Sequence, residues 1–247
     1  MKRYRQVKYA VASFAVVAAM LSGCGRSDPQ KSLEHSAVNG WQQPPSVISV
    51  SWRGQMASVS GMASPAARVI FAGERGEAYA VSADADGNFV LVINVPEAGL
   101  LLRPRAQVGT GAVEGQGALF LASGMQPVAA ILFAGEGAYR LDGGGLLDAV
   151  DADGEALILS GRSEKGRDTT LVVDGQNVTV NANEDGRWAV VAPDNRAPVE
   201  IVLNGVGYRF PGIQKAAGVR AINDSGWLVT RDFGGNAVQS TWLPSDK

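Results

Sequence analysis

Residues 83–90 read A-D-A-D-G-N-F-V, and residues 181–190 read N-A-N-E-D-G-R-W-A-V. In both, a large aromatic, Phe89 or Trp188, stands two residues after an Asp-Gly pair and opens an apolar run. Acids spaced one apart before a glycine also begin calcium loops, so these stretches read either as ion sites or as corners. A helix-loop-helix calcium loop wants donors at its first, third and fifth positions, Gly at the sixth and a bidentate Glu at the twelfth. Framed on its glycine, the first stretch puts Ser82 first and Ile93 twelfth, and the second puts Asn181 first and Ala192 twelfth. A third D-A-D-G, at 151–154, puts Ala149 first and Ser160 twelfth. No frame supplies the closing Glu, and strand-forming residues follow each glycine where a helix is required. Asp side chains bond nearby backbone amides in turns and Gly accepts positive φ. All three stretches read as corners, and no metal ligand set is expected.

The corners belong to a repeat. Ser60-Gly61 and Ser160-Gly161 stand 100 residues apart, and Asp86-Gly87 and Asp185-Gly186 stand 99 apart. Between them run short segments rich in Val, Ile and Leu, punctuated by turn residues, with 31 Gly in 247 residues and no long helical periodicity. That pattern marks an all-β chain. In the later copy Leu171 and Val173, Val178 and Val180, Trp188 and Val190, and Val199, Ile201 and Leu203 alternate as inward residues, and Asp174-Gly175 is a hairpin signal. Alternation is weaker in the first copy, where Val90 and Val92 fall on the outer face of 89–93. A middle segment echoes the first copy through Ser123-Gly124-Met125 and Phe133-Ala134-Gly135-Glu136. It reads as a degenerate copy or as extra strands of the first domain.

The order S-G, apolar strand, D-x-D-G-x-F/W resembles the bacterial immunoglobulin-like and carboxypeptidase-regulatory-like β-sandwich repeats, over about 60 residues per copy. The resemblance implies two small sandwiches in which the aromatic plugs the core, and it implies little about function. The expected organisation is a leader over 1–23, a flexible tether over 24–46 and a first sandwich over 47–108. A connecting β segment over 109–156, a second sandwich over 157–213 and a C-terminal β-hairpin module over 214–247 complete it.

The leader reading rests on the opening MKRYRQVKYAVASFAVVAAMLSGCG: a cationic start, an apolar run from Ala10 to Met20, then Leu21-Ser22-Gly23-Cys24. That run is short of the roughly twenty residues that cross a bilayer. Leu21–Cys24 resembles the lipobox of bacterial lipoproteins at all four positions. The resemblance implies cleavage before Cys24, acylation of that residue and anchorage in the membrane. Gly25 in place of Asp implies sorting to the outer membrane. Cys24 is the only Cys, so no internal disulfide forms, and acylation would consume a thiol otherwise left free in an oxidising compartment.

Cleavage removes four cations, leaving 18 against 24 acids and a net charge of −6. Dispersed, mildly acidic charge offers nucleic acid no footprint. The only His, His35, lies in the tether and Cys24 is the lipid site, so neither a catalytic Ser-His or Cys-His pair nor a His/Cys zinc cluster can be assembled. G-T-G-A-V-E-G-Q-G at 109–117 lacks the Lys-Ser/Thr ending of a phosphate loop and reads as a loose loop. No catalytic or cofactor-binding residue is assigned, and no cofactor is expected. Trp227, Phe233 and Trp242 are close enough in sequence to form an aromatic interaction surface. The sequence thus points to a non-enzymatic outer-membrane lipoprotein that scaffolds another envelope protein. The alternative is a carbohydrate-binding lipoprotein contacting peptidoglycan or surface polysaccharide through exposed aromatics.

Overall fold

The computed structural model describes residues 42–108, 111–163, 168–193 and 198–245. These residues form an all-β body of antiparallel sheets, with a single 3-10 turn at Asn223–Ser225. The first sandwich uses β1 (Ser46–Arg53), β2 (Met56–Met62), β3 (Arg68–Gly73), β4 (Ala78–Ser82), β5 (Asn88–Asn94), β6 (Leu100–Val108) and β7 (Gly111–Glu114). Three further strands follow: β8 (Ala118–Ala122), β9 (Val128–Leu132) and β10 (Tyr139–Arg140). The second sandwich uses β11 (Leu147–Ala152), β12 (Ala156–Arg162), β13 (Thr170–Val173), β14 (Gln176–Thr179), β15 (Arg187–Pro193), β16 (Val199–Leu203) and β17 (Val206–Phe210). The chain ends with β18 (Gly218–Ala221), β19 (Gly226–Asp232) and β20 (Val238–Pro244).

Counted from its own first strand, each sandwich sets strands 1-2-5 against strands 4-3-6-7. The repetition extends to single residues. Gly61 pairs with Phe89 and Gly161 with Trp188. A Cβ on either glycine would run into the facing ring and into a backbone carbonyl, that of Ser46 or Leu146. The aromatic therefore reaches over a strand that has no side chain there. Both first strands carry a β-bulge at the same point, between Val47 and Ser49 and between Leu147 and Ala149.

The corners also repeat. Asp84 Oδ1 accepts from the Asp86 and Asn88 amides (3.0 and 2.8 Å), and Asn183 Oδ1 accepts from the Asp185 and Arg187 amides (3.0 and 2.9 Å). The same turn runs on a charged and on a neutral acceptor, so what the geometry requires is an oxygen. The Asn88 amide leads the contacts that hold the Asp84 carboxyl below its ordinary pKa. Asp174-Gly175 has positive φ at both residues (45° and 79°), as a two-residue hairpin needs.

Four readings from sequence are corrected. The D-A-D-G at 151–154 is no copy of the 83–90 corner. Asp151 is buried inside β11, and only Asp153 and Gly154 turn, at the position Gly54 holds between β1 and β2. The second sandwich therefore starts with β11, inside the stretch read as a connecting segment. The rest of that segment consists of extra strands of the first domain: β6 pairs with β8, then come β9 and β10. In the Gly-rich stretch read as a loose loop, Gly111–Glu114 forms β7 against β6. The tether also ends earlier than expected. Gln43 N–H donates to Ser64 Oγ (2.9 Å) and Pro45 is buried, while residues 24–41 lie outside those described.

The C-terminal strands complete the second sandwich as β8–β10 complete the first, since β20 pairs with β11 and continues into β19 and β18. Four sheets and three cores alternate. One core, with Val59, Phe71 and Phe89, lies within the first sandwich, and another, with Trp188, Ile201 and Trp242, lies within the second. The third joins Phe120, Ala130 and Leu132 of the first to Ala149, Val229 and Leu243 of the second. The strands β8, β9 and β11 are buried throughout because each faces two cores.

The aromatic–glycine contact sets a double-mutant test. Trp188→Ala costs about 3–5 kcal/mol of stability, the usual loss for a buried large aromatic. Gly161→Ala costs about 1–3 kcal/mol by overpacking against the ring. Removing the ring relieves its share of the clash but leaves the one with the Leu146 carbonyl, so urea unfolding of the double variant shows a loss smaller than the sum yet larger than that of Trp188→Ala alone.

Candidate functional site

The densest polar chemistry among the described residues sits where the two sandwiches meet, along the outer edge of β10. The Leu141 amide on the inner edge bonds the Ala129 carbonyl of β9 (2.7 Å), which leaves the groups of Ala138 and Arg140 facing the second sandwich. Side chains meet them there. The Ala138 amide donates to Asp151 Oδ2 (2.8 Å) and the Arg140 amide to Asp148 Oδ2 (3.1 Å). The Ser160 hydroxyl donates to the Ala138 carbonyl, and Arg162 Nη2 donates to the Arg140 carbonyl (2.6 Å). Four side chains from β11 and β12 thus do what a neighbouring strand would do. Asp148 and Asp151 are three apart, which in a regular strand would place them on opposite faces. The bulge between Leu147 and Ala149 lets both reach β10.

Charge is balanced locally. Arg140, 2 % exposed, forms a bidentate pair with Asp142 (2.8 and 3.0 Å) and donates to the Pro244 carbonyl (2.9 Å). A Cβ at Gly144 would overlap the Arg140 guanidinium, so the middle glycine of Gly143-Gly144-Gly145 lies flat on it. Asp148 contacts Arg162 and Arg187 (3.3 and 3.8 Å), yet burial outweighs their pull and raises its pKa. Arg231 donates to the carbonyls of Leu132 and Phe133 (3.1 and 2.6 Å) and to Gln239 Oε1 (3.1 Å). Burial pushes the Asp151 carboxyl up to about 6, against the Ala138 amide, Thr241, Gln239 and the nearby Arg231.

Beside this junction lies an open groove of about 450 Å³ lined by Arg103, Arg105, Glu114, Leu132, Arg231 and Phe233. The Arg231 guanidinium stacks on Phe233 (5.2 Å), and Arg103 pairs with Glu74 (3.6 Å). The three aromatics expected to share a surface are separated. Trp242 points into the second core beside Phe210, 6.3 Å between rings, and is 2 % exposed. Trp227 points the other way, into the third core beside Phe120 (5.7 Å). Trp227 keeps a partly exposed edge, and Phe233 is the most open of the three, at 45 % exposure. The cause is register. Trp227 pairs with Leu243 and Leu228 with Trp242, so the two tryptophans take opposite faces of one hairpin.

Cys24 lies outside the described residues. Among the described residues no three His, Cys, Asp or Glu side chains are placed to share a metal ion. No protein-family model matches this sequence, and a search of curated proteins finds no match. Sequence reasoning missed the junction residues. Their signal was L-L-D-A-V-D-A at 146–152, two acids inside an otherwise apolar strand.

Asp151 makes stability depend on pH in a set direction. An unfolded Asp titrates near 3.9, and here the folded value lies above it, at about 6. Between those values the folded chain holds a proton that the unfolded chain has released. Raising the pH from about 4 to about 6 therefore removes stability, on the order of 2–3 kcal/mol from this group. Asp151→Asn, neutral at every pH, flattens that part of the curve in chemical denaturation across pH 4–7.

Proposed function

We propose that this chain is a non-enzymatic envelope lipoprotein. It is acylated at Cys24 after loss of residues 1–23, sorted to the outer membrane, and uses its fused sandwiches as a scaffold or adaptor for another envelope protein. The observation that carries the scaffold reading is the employment of the buried and half-buried charges. Asp148, Asp151, Arg140, Arg162 and Arg231 all bond backbone groups at the junction, which holds two sandwiches as one body with its outward faces at fixed angles. The seven-strand order common to both sandwiches supports the immunoglobulin-like resemblance. The anchor rests on the lipobox and on the single cysteine.

A second reading has one observation in its favour. The groove with exposed Phe233 beside Arg103 and Arg105 has the stacking face and the cations that an acid-bearing glycan would use. It keeps the carbohydrate-binding alternative in play on one aromatic.

One measurement tests the shared anchor and a second separates the two readings. In cells fed a fatty-acid probe, Cys24→Ser abolishes labelling, and undiminished labelling removes the anchor. Phe233→Ala leaves retention on insoluble peptidoglycan unchanged under the scaffold reading. A severalfold loss of retention at unchanged melting temperature transfers the assignment to glycan binding.

A further inference from the structure

We infer that β5 is a self-pairing edge through which two copies of this chain join their first sandwiches into one continuous sheet. A free strand edge templates association, and soluble proteins blunt such edges with charge, proline, bulges or shortness. Among the described residues every edge strand except β5 is blunted. The bulge and Arg53 interrupt β1, Arg187 and Pro193 bracket β15, and Arg209 and Arg220 sit on β17 and β18. The strands β4, β7 and β14 have five, four and four residues. Side chains of the second sandwich cover β10. By contrast β5 is seven residues long, ends its sheet and carries no charge, proline or bulge.

Its sequence also selects the occupant. Asn88 to Asn94 read N-F-V-L-V-I-N, the same chemistry in either direction about Leu91. Antiparallel pairing of two copies across a two-fold axis at Leu91 sets Phe89 against Ile93 and Val90 against Val92, while the Asn88 amide and carbonyl stay bonded to Asp84 and bound the ladder. Phe89, Leu91 and Ile93 already face the core, so the two cores become continuous at the seam. On the outer face Val90 and Val92, 59 % and 56 % exposed, gain an apolar neighbour each. Pairing consumes the edge of both partners, so assembly closes at two copies. An edge contact buries little area, which makes the dimer concentration-dependent. This inference is independent of the anchor and of the scaffold role.

Sedimentation of the full-length chain in a mild detergent tests it. Wild type shifts from monomer to dimer with rising concentration, and Val92→Lys raises the dissociation constant at least about tenfold. Register is read separately in a Cys24→Ser background, mixing Val90→Cys chains with Val92→Cys chains under mild oxidation. Mixed disulfides form, because opposed residues lie within bridging distance, while like residues lie beyond about 7 Å between Cα atoms. A monomer at every concentration, a dimer indifferent to Val92→Lys, open-ended polymers, or like-with-like disulfides would each overturn the assignment.

Discussion

A strand edge buried in the middle of a protein must have its amides and carbonyls bonded, since each orphan costs about 1–3 kcal/mol. The body of this chain is organised around one such edge. The outer side of β10 faces the second sandwich and finds Asp148, Asp151, Ser160 and Arg162 where a partner strand would stand. Remove that match and the third core loses its registration, because its apolar residues, many of them alanines, define contact without direction. The carboxylates give the junction its alignment. They do so at a cost in desolvation that the raised pKa values of Asp148 and Asp151 record.

The corner turns show the complementary economy. Asp84 and Asn183 hold equivalent turns with equivalent bonds. A motif that looks like the beginning of an ion site works as a local brace that points the next strand, and its aromatic, over a bare glycine. Gly61 and Gly161 are fixed by the rings and the Ser46 and Leu146 carbonyls they accommodate, and a side chain at either strains its sandwich.

What the sequence disclosed followed from periodicity. Strands with one wet face alternate, and Leu171, Val173, Val199, Ile201 and Leu203 were readable as core because their neighbours are polar or exposed. The strands β8, β9 and β11 have no wet face, so A-L-F-L-A and V-A-A-I-L carry no alternation and gave no sign that two cores flank them. That is why 109–156 was hard to apportion. The terminal aromatics failed as a surface for a related reason. Proximity along a hairpin says nothing of face until register is known, and a shift of one residue sends Trp227 and Trp242 apart. Asp148 and Asp151 could not be placed together without the bulge that breaks strand parity.

Two copies of one template, differing in a few residues, separate the demands of the fold from those of place. At the bulge the first sandwich has Ile48 where the second has Asp148, and farther along the strand Ser51 stands where Asp151 does. The second face is committed: a buried carboxylate needs an amide partner, and β10 supplies it. The first face bears Ile48, 57 % exposed, with Val90 and Val92 also exposed and no buried carboxylate to commit it to one partner. The fifth strands divide in the same way. Both follow the same corner and end their sheets, yet the second opens with Arg187, which reaches Asp148 (3.8 Å) and stacks on Tyr139 (4.3 Å), while asparagines bracket the first. The charge on the second strand therefore answers to the junction, and the first strand, with no junction to meet, carries none.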